Sequence, residues 1–177
     1  MTPEHLRDAA AVAAIFGFFA MAWFGWAQEA PPCRWVKWLA AGSILSILTL
    51  IGGGLLMWQH WSDGTVFDDQ VGTRFGIVVG IEFASAGIGS AVLAVRKRAQ
   101  LISAWIAFVV GVHFFPVAVV LEIPALHLVA ALVTAASVAS VFIARAKQLT
   151  ISAVVGASTG TVLLASALLS LLDAFLR

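Results

Sequence analysis

Six apolar runs, each about 20 residues long, restrict what this chain can fold into. They cover approximately residues 8–28, 36–58, 74–95, 101–121, 124–144 and 149–172. A helix of about 20 apolar residues crosses a bilayer, whereas a membrane β-strand has about ten residues of alternating polarity, a pattern that does not occur here. The runs therefore predict an all-α, polytopic integral membrane protein. We expect one domain, residues 1–177, built as a bundle of six transmembrane helices with short loops.

The composition agrees with lipid as the solvent and excludes several classes of protein. Of the 177 residues, 62% are hydrophobic and 11% are charged, unlike a soluble domain. The formal net charge of +1 provides no electrostatic basis for binding nucleic acid. Cys33 is the single cysteine, which excludes an internal disulfide and a multi-thiolate metal site. The run Ala9–Ala27 is longer than the apolar part of a cleaved signal peptide, so we expect it to be kept as the first helix.

Lysine and arginine are distributed unequally between the two sets of loops. Seven of the ten follow the first, third and fifth runs: Arg34, Lys37, Arg96, Lys97, Arg98, Arg145 and Lys147. The other three, Arg7, Arg74 and Arg177, belong to the opposite face. Cytoplasmic loops carry the excess of these residues in membrane proteins. We therefore predict a multi-pass protein of the cell membrane with both termini outside the cytoplasm.

Small residues and tryptophans in the runs predict how the helices pack. Pairs of small residues four apart allow two helices to approach closely in lipid. The seven tryptophans lie near the predicted helix ends and are interpreted as interfacial anchors. The run Gly52–Gly54 is interpreted as a further tight crossing. The small-residue pairs are Ala13/Gly17, Gly80/Ala84 and Ser85/Gly89.

Two ionisable residues lie inside adjacent predicted helices. Glu82 follows Arg74, the predicted outer start of its helix, by eight residues, and His113 precedes Glu122, the outer end of the next, by nine. At about 1.5 Å per residue, both are about 12 to 14 Å from the same membrane face. Because a short basic loop makes the two helices antiparallel neighbours, we expect the side chains to pair near the middle of the membrane. An ionisable group at that depth is costly and predicts a functional site.

Other polar residues are secondary candidates for this site. Pro116 lies three residues after His113 and cannot donate a hydrogen bond to the carbonyl of Val112, which predicts a kink and a free acceptor beside the imidazole. No ligand spacing such as His-x3-His is present, so the sequence identifies neither a metal nor a cofactor. The secondary candidates are Ser85, Glu122, His127 and Thr159.

The segment Gln59–Thr73 is the longest connection between runs. It carries several acidic residues and an Asp63-Gly64 turn signal. We expect it to be the most exposed and mobile loop, with Asp68 and Asp69 in solvent and contributing little to stability.

Three functions remain open at this point. The leading hypothesis is a small transporter or channel-like protein that moves a proton, an ion or a small solute through a site formed by Glu82 and His113. The second is an intramembrane enzyme that uses the same pair as acid and base on a lipid-soluble substrate. The third is a non-catalytic membrane sensor or assembly partner. The sequence predicts contact with membrane lipid and allows a small solute, an ion or a lipid-soluble ligand as a further partner. The sequence does not indicate an oligomeric state.

Overall fold

The computed structural model describes residues 5–176, which fold into six long α-helices. Each helix is long and apolar enough to cross a membrane, so the predicted all-α bundle of six spans is confirmed. Short 3-10 helices at Cys33–Trp35 and Ala99–Leu101 lead into the second and fourth helices. The long helices are α1 (Leu6–Ala27), α2 (Val36–Gln59), α3 (Asp69–Val95), α4 (Ile102–Val120), α5 (Ala125–Ala146) and α6 (Ile151–Leu176).

Helix α6 lies at the centre of the bundle. It packs most extensively against α1 and also contacts α5, α2 and α4. Sequence neighbours pack in antiparallel pairs, α1 with α2, α3 with α4, and α4 with α5. Side chains of α1, α4, α5 and α6 supply most of the buried core. Thr159 of α6 is fully buried, so the face of α6 that carries it lies against protein.

Helices α1 and α2 cross closely because each has a glycine at the contact. A Cβ atom on Gly17 would lie 2.8 Å from the backbone nitrogen of Leu50, and one on Gly53 would lie 2.7 Å from that of Ala14. The tight crossings predicted at Gly17 and within Gly52–Gly54 are therefore present. Such backbone proximity is how helices associate in lipid.

Helix α3 lies at the edge of the bundle. Its extensive contacts are with α4 alone, and none of its 27 residues, all described by the structure, is buried. A stripe of half-buried residues recurs every three to four positions along it and includes Phe75, Val78, Glu82, Ser85, Gly89 and Leu93. This spacing is one face of a helix, so the stripe is the face that α3 presents to its neighbour.

The opposite side of α3 is exposed and carries small residues among large apolar ones such as Ile77 and Ile81. Gly76, Gly80, Ala84 and Gly87 are all exposed. A Cβ atom on Gly80 would meet nothing within 4 Å among the described residues. The helix crossing predicted at Gly80 and Ala84 is therefore wrong within this chain, because α3 turns the other face towards α4.

The connection between α2 and α3 is held more firmly than the sequence suggests. Helix α3 begins at Asp69 rather than near 74, and the Asp68 carboxylate accepts a 2.7 Å hydrogen bond from the Val71 backbone N–H. Asp8 of α1 accepts hydrogen bonds from Thr65 Oγ1 (2.6 Å) and from the Val66 backbone N–H (2.9 Å). Asp68 is exposed as predicted, but it is the N-cap of α3, which stabilises the first turn of that helix.

The tryptophans do not all act as interfacial anchors. Trp38 and Trp58 are each 79% exposed, as expected of an anchor. Trp23 is buried and stacks on Trp26 with 5.4 Å between ring centroids. Trp105 packs against α3. The sequence cannot separate these roles, because both an interface and a helix contact accept an indole ring.

Candidate functional site

Glu82 and His113 face each other across the α3–α4 interface. Oε2 of Glu82 lies 3.4 Å from Nε2 of His113, and the side chains are only 15% and 12% exposed, respectively. Glu82 is the central residue of the 27-residue helix α3, far from both ends of the span. The structure therefore brings together the two ionisable residues whose matched depth is evident from the sequence.

A backbone hydrogen bond fixes the orientation of the His113 ring. Nδ1 lies 2.7 Å from the carbonyl oxygen of Val110, and the ring tilts against Phe114 with 4.5 Å between centroids. A carbonyl oxygen only accepts hydrogen bonds, so Nδ1 carries the hydrogen. The acceptor is Val110 rather than Val112, whose carbonyl is left without an N–H partner by Pro116. Nε2 is thereby turned towards Glu82.

At 3.4 Å, Glu82 Oε2 and His113 Nε2 are within ion-pair distance and can share a single proton. With Nδ1–H bonded to Val110, Nε2 of a neutral His113 can accept a hydrogen bond from protonated Glu82, and Nε2–H of a charged His113 can donate one to ionised Glu82. Without a proton, two acceptors would face each other, and with two protons, the pair would carry a net positive charge. Both bonded forms have zero net charge, which suits a site in lipid, where an isolated charge is costly.

Trp105 holds α3 against α4 close to this pair. Its indole Nε1 donates a 3.1 Å hydrogen bond to the carbonyl oxygen of Ser85, and its ring fills the space over Gly89, where a Cβ atom would overlap it. Ser85, a secondary candidate, thus contributes its backbone to the interface. Trp105 was not among the predicted site residues. Trp105 lies eight residues after Lys97, and Gly89 lies eight residues before it. This equal spacing on either side of the loop was the sequence signal that the two residues meet across antiparallel helices.

Helix α4, which carries His113, packs tightly against α5 on its other side. A Cβ atom on Gly111 would lie 2.6 Å from the backbone nitrogen of Thr134. Thr134 Oγ1 is buried and has no hydrogen-bond partner in the described part of the chain. Helix α4 is therefore packed closely against α5, whereas α3 forms a single wall of the site at the edge of the bundle.

The remaining secondary candidates lie apart from the pair. Glu122 is exposed in the α4–α5 turn, with a φ of 56°. His127 Nδ1 lies 3.2 Å from the carbonyl oxygen of Pro124, in the first turn of α5. Thr159 is 0% exposed on α6, and its hydroxyl has no partner among residues 5–176. Within the described chain none of the three makes a hydrogen bond or an ion pair with Glu82 or His113.

The acidic and imidazole groups do not assemble into a metal site. Over residues 5–176, no group of three or more His, Cys, Asp or Glu side chains is close enough together to hold a metal ion. The chain matches no protein-family model, no curated protein and no solved structure. What the site does is therefore inferred from its own chemistry.

Proposed function

We propose that this polytopic membrane protein moves protons across the bilayer through the Glu82–His113 pair, alone or coupled to another solute. The observation that carries the proposal is the 3.4 Å contact between Glu82 Oε2 and His113 Nε2 in the middle of a membrane span. Carboxylate and imidazole groups at this depth are the components of intramembrane proton relays. The hydrogen bond from Nδ1 to Val110 directs the exchangeable proton to the side of Glu82.

A proton fits this pair better than an ion or an organic solute. The two cavities described in the next section lie towards the end of the bundle that carries the basic loops, and neither is lined by Glu82 or His113. An ion or solute needs a space lined by its ligands, whereas a proton passes along hydrogen bonds. The site as described therefore suits the smallest of the predicted substrates.

The position of α3 at the edge of the bundle supports a moving part. Because no residue of this fully described helix is buried, a shift of α3 away from α4 gives up little packing. Such a shift separates Glu82 from His113 and admits water to both groups. The proton is then exchanged with one face of the membrane, and return of α3 restores the pair.

Proton flux into liposomes tests this proposal. The purified protein is reconstituted with a trapped pH-sensitive dye, and a potassium diffusion potential drives proton entry. Glu82→Gln keeps the size and hydrogen-bonding capacity of the side chain but cannot titrate, so we expect its flux to fall to that of empty liposomes. Glu122→Gln removes a carboxylate outside the pair and should retain wild-type flux. A Glu82→Gln protein that is folded and fully active contradicts the proposal.

An intramembrane acid–base enzyme is the second candidate, favoured by the position of the pair at the edge of the bundle. Because α3 makes extensive contact with α4 alone, the interface is reached sideways from lipid. Glu82 and His113 would then transfer protons to and from a lipid-soluble substrate. Absence of proton flux with the wild-type protein, together with a lipid conversion abolished by Glu82→Gln, favours this function over transport.

A further inference from the structure

A polar cavity of about 840 Å³ lies at the end of the bundle that carries the basic loops. Its walls come from the end of α1, the start of α4 and the turn between α5 and α6. The residues that bear on its chemistry are Trp26, Glu29, Ser103, Arg145 and Ser152. Neither Glu82 nor His113 lines it.

Two helix N-termini open into this cavity. Ile102 and Ser103 begin α4, and Ile151 and Ser152 begin α6, and all four line the walls. The first N–H groups of a helix have no partner within it. In the described chain no side chain caps α4, and Thr150, just before α6, donates its hydroxyl to the Ala30 carbonyl oxygen (2.9 Å). At α4 the Ile102 N–H is already bonded to the Ala99 carbonyl oxygen of the preceding 3-10 turn, so the unpaired N–H groups are mainly those of α6. The positive ends of the two helices together still favour an anion such as a phosphate group.

Ser103 independently indicates a ligand. Its side chain is only 4% exposed, and its hydroxyl has no hydrogen-bond partner among the described residues. Buried hydroxyl groups are nearly always hydrogen-bonded. Since Ser103 lines the cavity, a ligand oxygen there would satisfy the hydroxyl that the protein leaves unpaired.

Opposite charges line the same cavity. Glu29 and Arg145 are both exposed to it, and the ion pairs of residues 5–176 do not join them to each other. An isolated anion would be attracted by Arg145 and repelled by Glu29. A ligand that carries both a phosphate and an amine satisfies the two, with the phosphate at Arg145 and the ammonium at Glu29 beside the indole of Trp26.

An apolar groove continues from the polar cavity. The groove, about 430 Å³ in volume, is lined by Leu93, Leu101, Trp105, Phe108 and Phe142. Arg145 lines both spaces, so they meet at its side chain. A polar headgroup site next to an apolar channel of this kind matches a phospholipid, whose acyl chain follows its phosphate.

We propose that the cavity and groove bind a phospholipid with an amine-bearing zwitterionic headgroup, of the phosphoethanolamine class. The phosphate is held by Arg145, by the first-turn N–H groups of α6, and by Ser103. Glu29 selects the amine, and the groove holds one acyl chain. This lipid site does not include Glu82 or His113, so its test does not depend on the proposed proton transport.

Binding is measured on the full-length protein in a non-ionic detergent by titration of its intrinsic tryptophan fluorescence. The probes are short-chain phosphatidylethanolamine, short-chain phosphatidylglycerol, and phosphoethanolamine without acyl chains. We expect saturable binding of the first, weaker binding of the second because it lacks the amine, and weaker binding of the third because it lacks the chain. Phosphoethanolamine that binds as tightly as the lipid overturns the assignment to a phospholipid.

Matched variants test the assigned contacts. Arg145→Gln removes a charge-assisted bond and should raise the Kd by about tenfold or more. Lys147→Gln removes a charge from the same turn, but Lys147 does not line the cavity, so the Kd should stay unchanged. Glu29→Gln should abolish the preference for phosphatidylethanolamine over phosphatidylglycerol. Equal effects of Arg145→Gln and Lys147→Gln overturn the proposal.

Ser103→Ala keeps the test decisive if Arg145→Gln does not fold. The hydroxyl of Ser103 makes no hydrogen bond within the described chain, so its removal should leave the fold and the unliganded stability unchanged. Loss of affinity for phosphatidylethanolamine in a stable Ser103→Ala protein supports the site. Wild-type affinity in that variant, or no saturable binding by the wild-type protein, contradicts it.

Discussion

Indole Nε1 of Trp105 donates a 3.1 Å hydrogen bond from α4 to the carbonyl oxygen of Ser85 on α3. About one turn along the interface, Glu82 meets His113. These two polar contacts, together with apolar residues such as Phe75 and Val78, attach to the bundle a helix that has no buried residue of its own. The proposed movement of α3 therefore depends on opening one peripheral interface rather than the centre of the core.

The fit of Trp105 over Gly89 predicts the stability of two glycine variants. Gly89→Ala places a Cβ atom into the indole ring, and overpacking of this kind costs about 1–3 kcal/mol. Gly87→Ala meets nothing within 4 Å in the described chain, so it should leave stability unchanged or raise it by up to about 1 kcal/mol. Thermal unfolding in detergent measures both. Equal stability of the two variants would mean that the ring does not occupy this space.

The N-cap of α3 predicts an effect of shape rather than of charge at Asp68. Asp68→Ala removes the acceptor for the Val71 N–H and should lower stability by about 1 kcal/mol. Asp68→Asn removes the charge but keeps a capping oxygen, so its stability should stay close to that of the wild type. Both are compared by the same unfolding measurement. An Asp68→Asn protein as unstable as Asp68→Ala would indicate that the loop uses the charge itself.

The backbone conformation of Glu122 indicates that this residue serves the turn between α4 and α5 rather than the functional site. Its φ of 56° is unfavourable for a residue with a side chain, and the Ile123 N–H bonds to the Ala118 carbonyl oxygen (3.0 Å) as in a helix-ending turn. Glu122→Gly should therefore raise stability by about 1 kcal/mol. Glu122→Gln keeps the strain and should leave stability unchanged. Loss of proton flux in either folded variant would return Glu122 to the functional site.

The single cysteine allows the predicted orientation to be tested without adding a tag. Cys33 is exposed in the loop after α1, which the basic residues assign to the cytoplasm. A membrane-impermeant maleimide should therefore label it in permeabilised cells and not in intact cells. Ser62→Cys, made together with Cys33→Ser, exposes a thiol on the opposite loop and should react in intact cells. The reverse pattern of labelling inverts the predicted topology.

Much of the site could be predicted because depth in a membrane follows from counting residues. The lengths of the runs and the short basic loop were sufficient to predict that Glu82 and His113 lie at the same depth in the membrane, on adjacent antiparallel helices. The face that each helix turns inwards was harder. Gly80 and Ala84 form a small-residue pair as good as Ser85 and Gly89, yet only the second pair meets α4.

The sequence alone determined six spans, their order and the level of the two ionisable residues, because crossing a bilayer requires only sufficient length and apolar content. The tertiary structure decided that α3 lies at the edge, that Trp105 packs over Gly89, and that Asp68 caps a helix longer than the apolar run. It also brought Glu29, Ser103 and Arg145 around one cavity from three separate turns. These features depend on packing between helices, and in lipid a packed face and a lipid-facing one are equally apolar, so hydrophobicity does not distinguish them.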